Sequence, residues 1–225
     1  MKRRKTYSSQ REEIAGLLQR LHDYKPARGE FSYAEHGRAV TEAHRLYNDS
    51  FQLGRRFPMD ADLAGASTKA HQLWFTALIA AYPGAFWEDV QKLRAGDASG
   101  LESVIRFLEA DPFFFGTGYE KVYLSRYIKP PMLTPSDIAR LQNVVLHMVE
   151  TRHGSDFGAY KRLAKKVDDA FLREQLTRRL SSGDADTQRR ARWVLEALAQ
   201  KDSMERGKQK KDAAARKQTQ QRTMS

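Results

Sequence analysis

The chain has 225 residues, 40% hydrophobic and 30% charged, with no cysteine and a formal net charge of +11. That length admits one domain or a short array of repeats, and the lack of cysteine excludes a disulfide scaffold, a thiolate metal site and a cysteine nucleophile. No apolar run nears the ~18 residues of a membrane span, and the basic start Met1-Lys2-Arg3-Arg4-Lys5 leads into Thr6-Tyr7-Ser8-Ser9 instead of an apolar signal region, so a cytoplasmic location is expected.

Residues 1–8 read as a basic, flexible N-terminus. The first helix is expected at Ser9, with Glu12 three residues on. In such a capping box the hydroxyl satisfies one orphan backbone N–H and the carboxylate another. Ile14, Leu17, Leu18 and Leu21 follow at i, i+3, i+4 and i+7 and predict one buried face. A second box, Ser32 with Glu35, opens a helix to about Leu53. Residues 54–66, with Gly54, Pro58, Asp60 and Asp62, read as a longer connector: a mobile loop or a seam. A helix over 67–82 comes next, its apolar stretch Leu73 to Tyr82 predicted buried, and Pro83-Gly84 stops it.

Helices are then expected over 84–95, over 99–110 from the box Ser99 with Glu102, and over 117–129 from Thr117 with Glu120. Thr134-Pro135-Ser136-Asp137 opens one over 134–152, with proline at the first helical position where its missing N–H costs nothing. Three more fit 156–167, 169–182 and 185–199. Gly96, Gly116, Gly154 and Gly183 fall where helix ends call for a permissive backbone. No segment keeps a period of two between turns, so no sheet is assigned. Short gaps make successive helices antiparallel neighbours. The predicted fold is all-α: about ten helices in stacked antiparallel pairs, a HEAT-like solenoid or an irregular bundle, forming a single domain over 9–200. From Lys201 the apolar pattern ends, and 201–225 read as a basic, disordered tail.

The excess charge is unevenly placed. Residues 1–5 carry +4, and residues 201–225 hold eight Lys/Arg against three Asp/Glu, giving +5. Residues 140–200 hold twelve against eight, and residues 6–139 fifteen against seventeen. A basic surface on the body is therefore expected on its C-terminal half.

Val167-Asp168-Asp169-Ala170-Phe171-Leu172 and Ser182-Gly183-Asp184-Ala185-Asp186, the latter followed by Thr187-Gln188-Arg189-Arg190-Ala191-Arg192-Trp193, share an Asp-containing turn. In both, an apolar helix with arginine near its start follows that turn. The stretch 155–200 resembles a HEAT-type repeat; the earlier helix pairs lack the pattern. The resemblance implies a curved stack of helices used as a binding surface, not a chemistry.

Candidate sites are few. Over 157–167, Phe157, Tyr160, Leu163, Ala164 and Val167 share one face, with Lys161, Arg162, Lys165 and Lys166 opposite. Two like-charged i, i+4 pairs result, which an anion would relieve. With Arg173, Arg178, Arg179, Arg189, Arg190 and Arg192 they form a candidate basic strip. The alternative is a solvated face neutralised by Asp156, Asp168, Asp169 and Glu174. Phe113-Phe114-Phe115-Gly116-Thr117-Gly118-Tyr119 lacks the Gly-Lys-Ser/Thr of a phosphate loop and is read as interhelical packing. Tyr119, Tyr123 and Tyr127 at i, i+4 and i+8 form a candidate aromatic surface. His36 and His44 are too far apart on one helix for a ligand pair, His71 and His147 have no partner at a telling spacing, and His153 suits a helix end. No metal or cofactor is expected. Glu88 and Asp89 are adjacent and so point apart, which weakens them as an acid pair.

No catalytic motif is ordered in the sequence. The expectation is a non-enzymatic helical-repeat binding or adaptor protein that engages an acidic protein partner. The alternative is a nucleic-acid-binding protein using the strip and both basic ends. A second alternative, from the HEAT-like resemblance alone, is an alkylpurine DNA glycosylase-type enzyme, for which neither the catalytic acid nor its aromatic surround can be placed.

Overall fold

All regular structure among the described residues of this computed structural model is helical. It describes residues 7–27, 30–114, 116–151 and 157–223, with side chains over 10–207. Ten α-helices follow in order: α1 Tyr7–Asp23, α2 Tyr33–Arg56, α3 Ala61–Ala80, α4 Phe86–Ala95, α5 Leu101–Ala110, α6 Thr117–Tyr127, α7 Pro135–Thr151, α8 Phe157–Ala164, α9 Ala170–Arg179 and α10 Ala185–Thr223. The chain forms two compact units where a single domain is expected. One runs to Lys92 and takes in Ala110–Gly118; the other comprises Leu93–Glu109 and Tyr119 onward.

Helix starts show which local signals were decisive. Ser32 caps α2 by accepting from Glu35 N at 3.4 Å. Thr134 and Asp137 form a reciprocal box: Asp137 N donates to Thr134 Oγ1 at 3.2 Å, and Thr134 N to Asp137 Oδ2 at 2.9 Å. Three expected boxes differ. Ser9 lies inside α1, which begins at Tyr7. Asp97, not Ser99, caps the turn ahead of α5: its carboxylate accepts from Ser99 N, two residues on, at 2.8 Å, so the N–H of Ser99 lies inside the turn that Ser99 is expected to start. Thr117 turns its hydroxyl to the Phe114 carbonyl at 2.8 Å. Gly96 and Gly116 have φ of +96° and +92°, where a side chain would be strained. Gly183 has no positive φ, and Gly154 lies outside the described residues.

In the first unit, Ile14, Leu17 and Leu21 of α1 pack with Leu46 and Leu53 of α2 and with Leu63, Ala66 and Ala70 of α3. Leu18, expected on the same face, is 37% exposed. The predicted connector over 54–66 is only the four residues 57–60, since Asp60 accepts from Asp62 N (3.1 Å) and Leu63 N (3.3 Å) and so starts α3 early. No seam falls there. The apolar stretch of α3 is not wholly buried either: Phe75 is 57% and Ile79 61% exposed.

Phe114 is buried beside Tyr82 and against Gly37, where an added Cβ would lie 3.2 Å from its ring. A Gly37→Leu variant is therefore expected to displace Phe114 and lose about 1–3 kcal/mol through overpacking. The urea midpoint, with slope unchanged, measures it.

In the second unit, Ile105, Phe107 and Leu108 of α5 are buried, as are Leu141, Val145 and Met148 of α7, Tyr160 and Leu163 of α8, Leu172 and Leu176 of α9, and Val194 and Leu198 of α10. Helix α7 touches α8, α9 and α10, and α10 also touches α8 and α9. The last helix is the largest departure from the sequence pattern. Expected to stop near 199, it continues to Thr223 through the supposed tail. Residues 201–223 hold no proline and are rich in Ala, Lys, Gln and Arg, which favour a helix where no core is available.

Candidate anion-binding face

Helix α8 places its side chains as its spacing predicts. Phe157, Tyr160, Leu163, Ala164 and the following Val167 are buried, which turns Lys161, Arg162, Lys165 and Lys166 to the other side. Lys166 is not left to a ligand. Its ammonium donates to the carbonyls of Ser125 at 2.7 Å, Arg126 at 3.1 Å and Ile128. Those carbonyls close the end of α6, where helix acceptors lack intrahelical partners and the helix dipole is negative. Burial, followed by the charge of Arg162 one turn earlier, lowers the Lys166 pKa.

The rest of the strip divides in the same way. Arg173 donates to Asp168 (2.7 and 2.8 Å) and to Asp202 (both 2.9 Å), and Lys201 adds a longer contact to Asp168 at 3.4 Å. Arg178 pairs with Glu174, Arg179 with Glu150, and Arg189 with Asp186. Arg190 is 3% exposed and donates to the carbonyls of Val149 at 2.6 Å and Glu150 at 3.0 Å, the last turn of α7. Six of the ten strip cations therefore already have a carboxylate or carbonyl partner, and four of them, Lys166, Arg173, Arg179 and Arg190, tie together residues 29 or more apart in the chain. Lys161, Arg162, Lys165 and Arg192 have no carboxylate partner among the described residues. Of the four expected neutralising acids, Asp168 and Glu174 serve Arg173 and Arg178, Asp169 caps α9 through Leu172 N, and Asp156 lies outside the described residues.

The Arg173 network predicts an acid limb of stability. Hydrogen bonding to Arg173 is the main cause that lowers the pKa of both Asp168 and Asp202. A carboxylate with a depressed folded pKa contributes fully above its unfolded value of about 3.9, and the contribution is lost as pH falls through the folded value. Urea midpoints taken from pH 6 to pH 2 are expected to fall below about pH 4, and to fall less steeply in Arg173→Met.

The tyrosine stripe is two residues, not three. Tyr119 is 78% and Tyr123 53% exposed, whereas Tyr127 is half-buried. The Arg126 guanidinium lies 5.5 Å from the centre of the Tyr123 ring. A matching stack, overlooked in the sequence, lies on α10, where Arg189 sits 5.4 Å from the ring of the half-exposed Trp193. Trp193 contacts Phe157 at the start of α8, ring centres 6.1 Å apart. The i, i+4 spacing of Arg189 and Trp193 and the i, i+3 spacing of Tyr123 and Arg126 were the available signals.

Other candidates resolve as structure. Phe114 is core, while Phe113 of the same run is 81% exposed. His36 is held by the Ser32 carbonyl at 2.9 Å and stacked on Phe31, and His44 and His71 belong to an aromatic group with Tyr47 and Trp74. No group of three or more His, Asp or Glu fit for a metal occurs among the described residues, and His153 lies outside them. Asp89 pairs with Lys92 at 2.9 Å, turning away from its neighbour Glu88. The first unit has a cleft of about 450 Å³ lined by charges of both signs, including Arg20, Asp23, Glu35 and Arg38. Beside it an apolar cavity of about 110 Å³ lies against Tyr24, His36 and Leu73. No helix of the described residues is long and apolar enough to cross a membrane.

Set against protein-family models, curated proteins and solved structures, the chain matches none.

Proposed function

We propose that this chain is a non-enzymatic helical binding protein, HEAT-like in its C-terminal pairs, that engages an acidic macromolecular partner through its second unit. One observation carries the proposal: Lys161, Arg162, Lys165 and Arg192 stay unpaired among the described residues while their neighbours are matched to acids or carbonyls. A solvated face built for stability alone would pair such charges or space them apart, because like charges one turn apart, as Lys161 and Lys165 are at the end of α8, are mutually unfavourable. An anionic partner removes that repulsion and gains counterion release or ion pairing in exchange. Arg162 and Arg192 are exposed, and Lys161 and Lys165 half-buried, so their charged heads can reach a partner over apolar stems. No observation favours the glycosylase-type alternative.

The test is binding of polyanions to the full chain at about 50 mM salt, conditions in which phosphate contacts dominate affinity. Poly-glutamate or an oligonucleotide is expected to bind, and affinity to fall steeply as salt rises. Reversing Lys161, Arg162, Lys165 and Arg192 to Glu is expected to abolish binding while leaving the melting temperature near wild type. Unchanged affinity in that variant rules the face out.

A further inference from the structure

Two features weighed separately in the sequence, the tyrosines near 120 and the cations near 162, meet at α8. Lys166 pins the end of α8 to the last turn of α6, whose Arg126 is stacked over Tyr123. At the other end of α8, Phe157 contacts Trp193, which carries Arg189 over its ring. Between them lie Lys161 and Arg162 of α8 and Lys165 in the turn that follows it. The eight residues of α8 span about 12 Å at a rise of 1.5 Å per residue. A half-exposed aromatic ring with a guanidinium at its face thus lies near each end of a short helix whose cations have no carboxylate partner among the described residues.

We infer that α6, α8 and α10 form a face for single-stranded nucleic acid, with phosphates on Lys161, Arg162 and Lys165 and unpaired bases stacked on Tyr123 and Trp193. The inference rests on the acidic-partner function and specifies its partner. An acidic protein surface requires the cations but has no need of the rings. A duplex offers phosphates but keeps its bases stacked within the helix, out of reach of the rings. A single strand satisfies both features, since every base has a π-face that stacks on an aromatic side chain without sequence preference. Arg126 and Arg189 extend the stacks by covering one face of a ring or moving over the incoming base.

The test titrates the full chain at about 50 mM salt with a short oligothymidylate, with the same sequence as duplex, and with poly-glutamate. The single strand is expected to bind tightest and to quench emission from Trp193, a quench lost in Trp193→Phe. Tyr123→Ala and Trp193→Ala are each expected to weaken binding about tenfold, the effect of one lost base stack. Tyr123→Phe, which keeps the ring, is expected to bind as wild type and controls for folding. Tightest binding of poly-glutamate, with both alanine variants unaffected, overturns the nucleic-acid assignment and leaves an acidic protein as partner. Equal binding of duplex and single strand without quenching also overturns it. If none of the three binds, the acidic-partner function fails as well.

Discussion

Arg190→Met is expected to lower the stability of the second unit by about 3 kcal/mol, the cost of leaving a buried and a part-buried acceptor without their charged donor. The Arg190 side chain is 3% exposed, and its guanidinium closes the last turn of α7 through the carbonyls of Val149 and Glu150. Methionine fills much of the same volume but donates nothing, so the buried carbonyl of Val149 and the part-buried carbonyl of Glu150 lose that donor. In a protein of this size the melting transition of the unit is expected to drop by about 6–12 °C. Arg190→Lys is expected to recover only part of the loss, because one ammonium cannot reproduce a planar fork aimed at two acceptors. Scanning calorimetry of the three proteins measures both effects. A melting temperature for Arg190→Met within 2 °C of wild type would exclude a stabilising role for the buried cation.

Lys166→Met is expected to cost about 2 kcal/mol, combining lost charge-assisted hydrogen bonds with a lost cation at a helix C-terminus. Its ammonium is the contact that holds the end of α8 to Ser125, Arg126 and Ile128. Amide hydrogen exchange should therefore accelerate first at the end of α6 and in residues 164–167, before global unfolding. This variant also separates structure from binding. Lys166 belongs by sequence to the basic strip, yet its charge is occupied inside the fold. Its loss should change the salt dependence of polyanion binding little, whereas Lys161, Arg162 and Lys165 should each lower that slope.

Arg190 and Lys166 play the same part at different helix ends. Each comes from a later part of the chain, Arg190 from α10 and Lys166 from the turn after α8, and satisfies carbonyls at the C-terminal end of an earlier helix. Arg179 adds a third tie to that region through the Glu150 carboxylate. The second unit therefore draws on much of its own basic surface for C-caps and interhelical ion pairs. Charge counted along the sequence overstates what remains for a partner, and the location of the excess matters more than its size.

Local physics made several features readable in advance. Ser32 and the Thr134–Asp137 box announced their helices because a cap is decided by atoms within one turn. The inward face of α8 followed from spacing, since a side chain's direction on a helix is set by its position number. Where two local signals compete, the nearer or better-placed side chain wins: Asp97 displaced Ser99, and Asp60 made a helix start of an expected connector.

The all-helical fold and the inward faces were thus determined by the sequence, because capping and periodicity act over a few residues. The division into two units, the burial of Arg190 and the pairing of Arg173 with Asp202 were decided only in three dimensions, by partners 29 to 41 residues away. The same holds for the candidate face. Its residues are individually visible, but the sequence cannot say which cations find carbonyls and which remain for solvent, nor that Tyr123 and Trp193 flank one basic helix. Such outcomes depend on which helix ends approach each other, and helix packing sets that approach through contacts with no local signature.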